Sequence, residues 1–236
     1  MKCSPHWTAL FVSSLLAAPP IACFGIVPPQ IDDFQGGTTQ NWTNGDLGPP
    51  FVANVANGGP NGAGDRFLQV TSTGTGTAGS RLITFNATQW TGNYNAAGTT
   101  GIAMDLKYID PTSTIEPIRI AIFDPLTFTG YASTDSVSGG AFALPNDGQW
   151  HHYVFSLTTN TMTAIGAPPP LSTELSSVPE LRILSSSIPS TSGDKIGATL
   201  GIDNITAVPE PAGFVVMGIG TVGLVYWRRR GTWRGL

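Results

Sequence analysis

The side chains able to do chemistry are few, and most lack partners in the sequence. His151 and His152 are adjacent, and the remaining histidine, His6, lies near the N-terminus. Neighbours on a strand point to opposite faces, so this pair cannot readily close on one ion, and a zinc site would lack ligands. Glycoside hydrolysis needs two carboxyl groups facing each other across the scissile bond. Here the Asp and Glu residues are scattered mostly through turn-like segments, with no compact acidic motif on a strand, and no Gly-x-Ser-x-Gly elbow is present. Gly74 to Gly79 reproduces the GxGxxG spacing of dinucleotide sites. That chemistry requires a helix to begin at the last glycine, whereas a strand-like run, Ser80–Phe85, follows. A hairpin loop is expected there, and the chain reads as non-catalytic.

Two constellations remain. Asp32, Asp33 and Asp203 would come together if the first and last strands pair, and their hard oxygens, with backbone carbonyls, would suit a structural Ca²⁺. Solvated turn carboxylates are the plainer reading. No other cofactor is implied. Trp42, Trp90, Trp150, Tyr94 and Tyr131 offer ring faces on which sugar C–H groups could stack. Core packing explains each equally well, and the sequence leaves the two open.

The elements that must carry these residues are strands. Only 11% of residues are charged, while glycine (29) and proline (19) are abundant, which disfavours long soluble helices. Short β-type runs separated by turn clusters are predicted at Arg66–Thr71, Ser80–Phe85, Ile102–Ile109, Ile118–Phe123, His151–Leu157, Glu180–Ser185 and Thr199–Ala207. Ile118, Ile120 and Ile122 share one face, as do His151, Tyr153, Phe155 and Leu157. Alternation also places Ile202 and Asn204 opposite Asp203 and Ile205. Seven or more strands joined by loops point to an all-β, antiparallel sandwich spanning residues 24–206. The only cysteines, Cys3 and Cys23, lie in or beside the N-terminal export signal, so no disulfide framework is available to the domain.

The two ends read as targeting segments. Met1-Lys2, an apolar stretch from Trp7 to Ala18 and the small residue Ala22 fit a secretory signal over residues 1–22. Ile21-Ala22-Cys23 faintly resembles a lipoprotein attachment signal but lacks the expected leucine. Near the other end stand Pro209-Glu210-Pro211, an uncharged segment from Ala212 to Trp227, and the cluster Arg228, Arg229 and Arg230. As a helix the segment is roughly 24 Å long, a little short of a ~30 Å hydrocarbon core. Interfacial aromatics, snorkelling arginines and local thinning would cover the difference. The arginines favour the cytoplasmic side, which puts the domain outside. Two prolines hold the backbone extended with Glu210 displayed between them, a form that a protease-like site can engage. Charge agrees with this layout. Residues 24–211 carry six Lys or Arg against fifteen Asp or Glu, so the body would repel nucleic-acid phosphates.

Val208-Pro209-Glu210-Pro211, the Gly-rich apolar span and the arginine cluster, in that order, resemble the PEP-CTERM sorting domain over residues 207–230. The resemblance implies recognition by exosortase, processing near Pro-Glu-Pro, and delivery to the surface of a Gram-negative-type bacterium that makes exopolysaccharide. The apolar span and the arginines make membrane lipid a further partner, with a single span and a cytoplasmic C-terminus before processing. Ile31-Asp32-Asp33-Phe34-Gln35, Gly201-Ile202-Asp203-Asn204-Ile205 and Gly148-Gln149-Trp150-His151-His152-Tyr153 are similar to segments of carbohydrate-binding jelly rolls. A structural or matrix protein is therefore expected first, a module binding exopolysaccharide second and a surface glycoside hydrolase third.

Overall fold

The computed structural model describes residues 25–27, 29–45, 51–110, 114–135 and 138–210. The export signal, Cys23, Pro211, the apolar span and Arg228–Arg230 lie outside the described residues. Eleven strands and one helical turn follow in order: β1 Ile31–Asp32, β2 Val52–Val55, β3 Phe67–Thr73, β4 Ile83–Asn86, β5 Thr99–Tyr108, β6 Ile118–Asp124, β7 Thr129–Ser133, β8 Trp150–Ser156, β9 Met162–Ile165, α1 Leu171–Glu174, β10 Leu181–Ser185 and β11 Gly197–Pro209. They form two antiparallel sheets. One runs β2-β3-β11-β5-β8, with β1 also pairing to β11; the other runs β4-β10-β6-β7-β9. All seven predicted strands are present, and the expected sandwich is the observed architecture.

The core follows from alternation. Ile118, Ile120 and Ile122 of β6 are fully buried and share one cluster with Leu181 and Ile183 of β10. From the other sheet come Leu68 and Val70, Ile102, Met104 and Leu106, and Phe155. Each such side chain contributes about 1.5–3 kcal/mol when fully buried, and no disulfide is needed among the described residues. The glycine-rich stretch after β3 is a loop, as its spacing predicts: Thr73 N–H donates to the Gly79 carbonyl and Gly74 N–H to that of Ser80. No helix starts there.

Alternation fails within β11. In β11 both Ile202 and Ile205 are buried in the core, three residues apart. The register against β5 shifts between Asp203 and Thr206, and Asn204 sits at φ +51°. This is a β-bulge, and asparagine is among the few residues that tolerate the left-handed region. The extra residue returns Ile205 to the core side, so strict period-two reading of this segment is overturned.

Beneath β1 lies a buried polar node. Asp32 Oδ2 accepts the indole N–H of Trp42 and of Trp90, each at 2.7 Å, and the Gln89 amide at 3.1 Å; Gln30 reaches Oδ1 at 3.4 Å. Trp42, Trp90 and Tyr94 are all buried, and the Tyr94 hydroxyl donates to the Trp90 carbonyl. Three of the five aromatics offered for sugar stacking therefore belong to the core. Burial pushes the Asp32 carboxyl above its usual range, against the pull of the four donated hydrogen bonds. Replacing Asp32 by alanine would orphan two indole N–H groups at roughly 1–3 kcal/mol each, a loss of roughly 2–6 kcal/mol. We expect the denaturation midpoint of Asp32→Ala to fall accordingly with an unchanged m-value, measured by urea titration.

Candidate functional site

The first candidate is the junction between domain and tail. β11 continues to Pro209, so Val208 and Pro209, the start of the Pro-Glu-Pro stretch, are part of the sheet. Val208 stands opposite Gly101 and Pro209 opposite Thr99 of β5. The Glu210 N–H donates to the Gly98 carbonyl at 2.7 Å. The extended stretch is thus paired into the sheet on its N-terminal side. Proline has no N–H to give the ladder, and at the end of a strand it costs little. Glu210 is exposed.

The second candidate is the outer face of the β2-β3-β11-β5-β8 sheet. Register brings Gln69, Gly201, Lys107 and Trp150 into one row across four strands, and Phe67, Asp203, Asp105 and His152 into a neighbouring region. The Trp150 ring lies against Gly201: a Cβ at that position would come within 2.8 Å of the indole. Glycine is required here for that close approach. Phe67 meets the indole edge-on with centroids 5.3 Å apart, and Trp150 Nε1 donates to the Gly58 carbonyl at 3.0 Å. Lys107 Nζ stands 6.0 Å from the ring centroid.

Polar pairs are held by the strands and loops of this sheet. Asp105 receives the Asn204 amide and pairs with His152, both at 2.8 Å. Gln35 donates to Asp65, and Arg66 to Asn54. The Trp150 ring is partly exposed on this face. Tyr131, the fifth aromatic, is on the other sheet, with its hydroxyl bonded to the Pro169 carbonyl. Phe67 and Gly201 were missed in the sequence, because their closeness to Trp150 depends on cross-strand register.

The three aspartates proposed for calcium do not assemble into a site. β1 and β11 do pair, with Asp32 opposite Ile205. However, Asp32 is occupied by indole donors, and Asp33 is exposed and caps the Gln35 N–H. Among the described residues no group of three or more His, Cys, Asp or Glu side chains is arranged to hold a metal. The histidines divide as adjacent strand residues must, His151 reaching Asp147 and His152 reaching Asp105.

Asp203 is the anomaly of this face. It is fully buried; one oxygen accepts the Asn204 N–H at 2.8 Å and the other has no hydrogen-bond partner. Burial pushes its carboxyl up to about 7, the Asn204 bond opposing, with repulsion from Asp65, Asp105 and Asp33 adding to the rise. A folded carboxyl with a raised pKa binds its proton where the unfolded chain has already lost it. Stability from this group therefore declines as pH climbs from about 4 to above 7, by an amount on the order of a few kcal/mol. Asp124, Asp147 and Asp194 are shifted downward, so their contributions are lost only in more acidic solution. We expect Asp203→Asn to raise the melting temperature at pH 8 but not at pH 4.5, as read by calorimetry at both values.

Comparison with known proteins bears on the tail and on the fold. Residues 207–230 match the PEP-CTERM protein-sorting motif. No curated protein matches the sequence significantly. Among solved structures, an exo-beta-agarase superposes with a TM-score of 0.51 at 12% identity, over 78% of this chain and 25% of that one. The chain thus spans about a quarter of the agarase, and the likeness is one of fold. A family 11 carbohydrate-binding module from Clostridium thermocellum, solved with a beta-1,3-1,4-mixed-linked tetrasaccharide, gives 0.49 at 16% identity, covering 78% of this chain and 96% of the module. A mannan-recognising module, TmCBM27, gives 0.36 at 11% identity over 75% and 94%.

Proposed function

We propose that this chain is an exported, exosortase-sorted protein of the bacterial cell surface or extracellular matrix, structural and non-catalytic. One observation carries the reading: a sorting motif joined without a linker to the last core strand, so that the sandwich is the cargo and the tail its address. The tail spans the membrane once before processing, with Arg228–Arg230 on the cytoplasmic side, and exosortase and lipid are its partners. Glu210, exposed between Pro209 and Pro211, is the recognition feature that the strand presents at its end.

A second reading is favoured by the outer sheet face. Trp150 on Gly201, with Phe67 at its edge and Gln69, Lys107, Asp105 and His152 around it, suits a polysaccharide chain. In this reading the protein ties exopolysaccharide to the cell. Sugar stacking needs a ring held by its neighbours, and Trp150 is so held through Gly58 and Gly201.

Two experiments test these readings. Intact mass of the protein recovered from a native culture is expected to end before the apolar span. Pro209→Ala with Pro211→Ala is expected to leave the tail attached; normal maturation of that variant would overturn the sorting role. For the second reading, purified exopolysaccharide is expected to retain the protein. Trp150→Ala should weaken retention at least about fivefold, since stacking contributes on the order of 1–3 kcal/mol by analogy with other ring platforms. Absence of retention would leave the structural reading alone.

A further inference from the structure

Three exposed apolar side chains mark one end of the sandwich, and that end is the one from which the tail departs. Leu126 is 89% exposed, Phe128 77% and Val27 67%, and no other large hydrophobic among the described residues is as exposed. Their common location follows from strand direction. β11 ends beside Gly98 and Thr99, at the start of β5. The segment before β5 bridges Gly92 to Val178, just ahead of β10. Leu181, the first residue of β10, stands opposite Ile122 near the end of β6, and Phe123 N–H donates to the Glu180 carbonyl. The β6–β7 turn that holds Leu126 and Phe128 thus emerges at the same end as Glu210. Val27 joins them, because Ile26 N–H donates to the Thr91 carbonyl beside Gly92.

The turn is built to present its apolar pair. Asp124 accepts the Leu126 N–H at 2.8 Å and the Thr127 hydroxyl at 2.9 Å, while the Phe128 N–H donates to the Asp124 carbonyl. Phe128 is held at φ +57°, an unfavourable conformation for a bulky residue. Exposure of a strained aromatic next to an exposed leucine makes sense where a partner covers them.

We infer that this end of the domain rests on the bilayer that holds the chain's own tail, with Leu126 and Phe128 inserted at the lipid interface. The inference rests on the reading that the tail spans a membrane. The tether is short: three residues separate Glu210 from Phe214, the first large apolar residue of the span. Fully extended, they allow at most about 14 Å between the two. The domain end is therefore held within or just above the headgroup layer, which occupies roughly 5–8 Å on each side of the hydrocarbon core. At that effective concentration, two or three apolar side chains suffice for contact that would be negligible for a free domain. The turn itself carries Asp124 and no lysine or arginine, so the contact is apolar and needs no anionic lipid.

The test uses the full chain with Cys3→Ser and Cys23→Ser, carrying one environment-sensitive fluorophore on Leu126→Cys, Ile188→Cys or Ile219→Cys. Ile188 follows the opposite end of β10 and serves as the distal reference. Each protein is inserted into phosphatidylethanolamine–phosphatidylglycerol vesicles containing lipids with a shallow acyl-chain nitroxide. Quenching at position 219 reports the span, and quenching at 126 at least threefold above that at 188 is the expected result. Adding Phe128→Asp should reduce quenching at 126 at least twofold. Quenching at 219 with equal signals at 126 and 188 would overturn the docking while leaving the span intact, and would point to a protein partner for the turn. No quenching at 219 would remove the span and the docking together.

Discussion

The last strand is the constraint on which everything else hangs. β11 is thirteen residues long and pairs with β1, β3 and β5, so one sheet is assembled around it. Its inner side supplies Leu200, Ile202 and Ile205 to the core. Its outer side supplies Gly201, which lets Trp150 lie on the sheet, and Asp203 with its raised pKa. Its final residues open the sorting motif. A strand of this kind cannot be altered locally without being felt in the core, on the outer face and at the tail.

Two buried aspartates show how differently the same side chain can be accommodated. Asp32 collects donors on both oxygens, which offsets the cost of leaving water and fixes the positions of two indoles. Asp203 has one accepted hydrogen bond and one buried oxygen without a partner, among other carboxylates. The first organises the core beneath β1. The second leaves the β11 bulge sensitive to protonation, next to the Asp105–His152–Asn204 group that borders Trp150. The outer face thus carries charged and polar groups, in contrast to the apolar end formed by Val27, Leu126 and Phe128.

Attachment without a linker also has a mechanical consequence. Because Pro209 stands opposite Thr99, after a second shift of register, and Glu210 is bonded to Gly98, force or motion at the tail is delivered directly into the central sheet. Cargo and address behave as one body on the N-terminal side of Glu210.

Much was legible in the residues alone. The alternation of Ile118, Ile120 and Ile122, and of His151, Tyr153, Phe155 and Leu157, dictates which sides face inward, because strand side chains alternate regardless of what they meet. The order of Pro-Glu-Pro, apolar span and arginines is likewise a local pattern, readable without coordinates. Short strands such as β2, β7 and β9 were not legible, since four or five residues of mixed polarity become strands only when a neighbour supplies hydrogen bonds. What tertiary structure alone decided is which aromatic goes where and which carboxylate has a partner. Trp42, Trp90 and Trp150 are alike in sequence, yet two are tied to Asp32 in the core and one lies on Gly201. The difference is made by register between strands far apart in the chain. The Asn204 bulge, the node at Asp32 and the clustering of three exposed apolar residues at the tail end have the same origin: they are relations between distant segments, which no local pattern encodes.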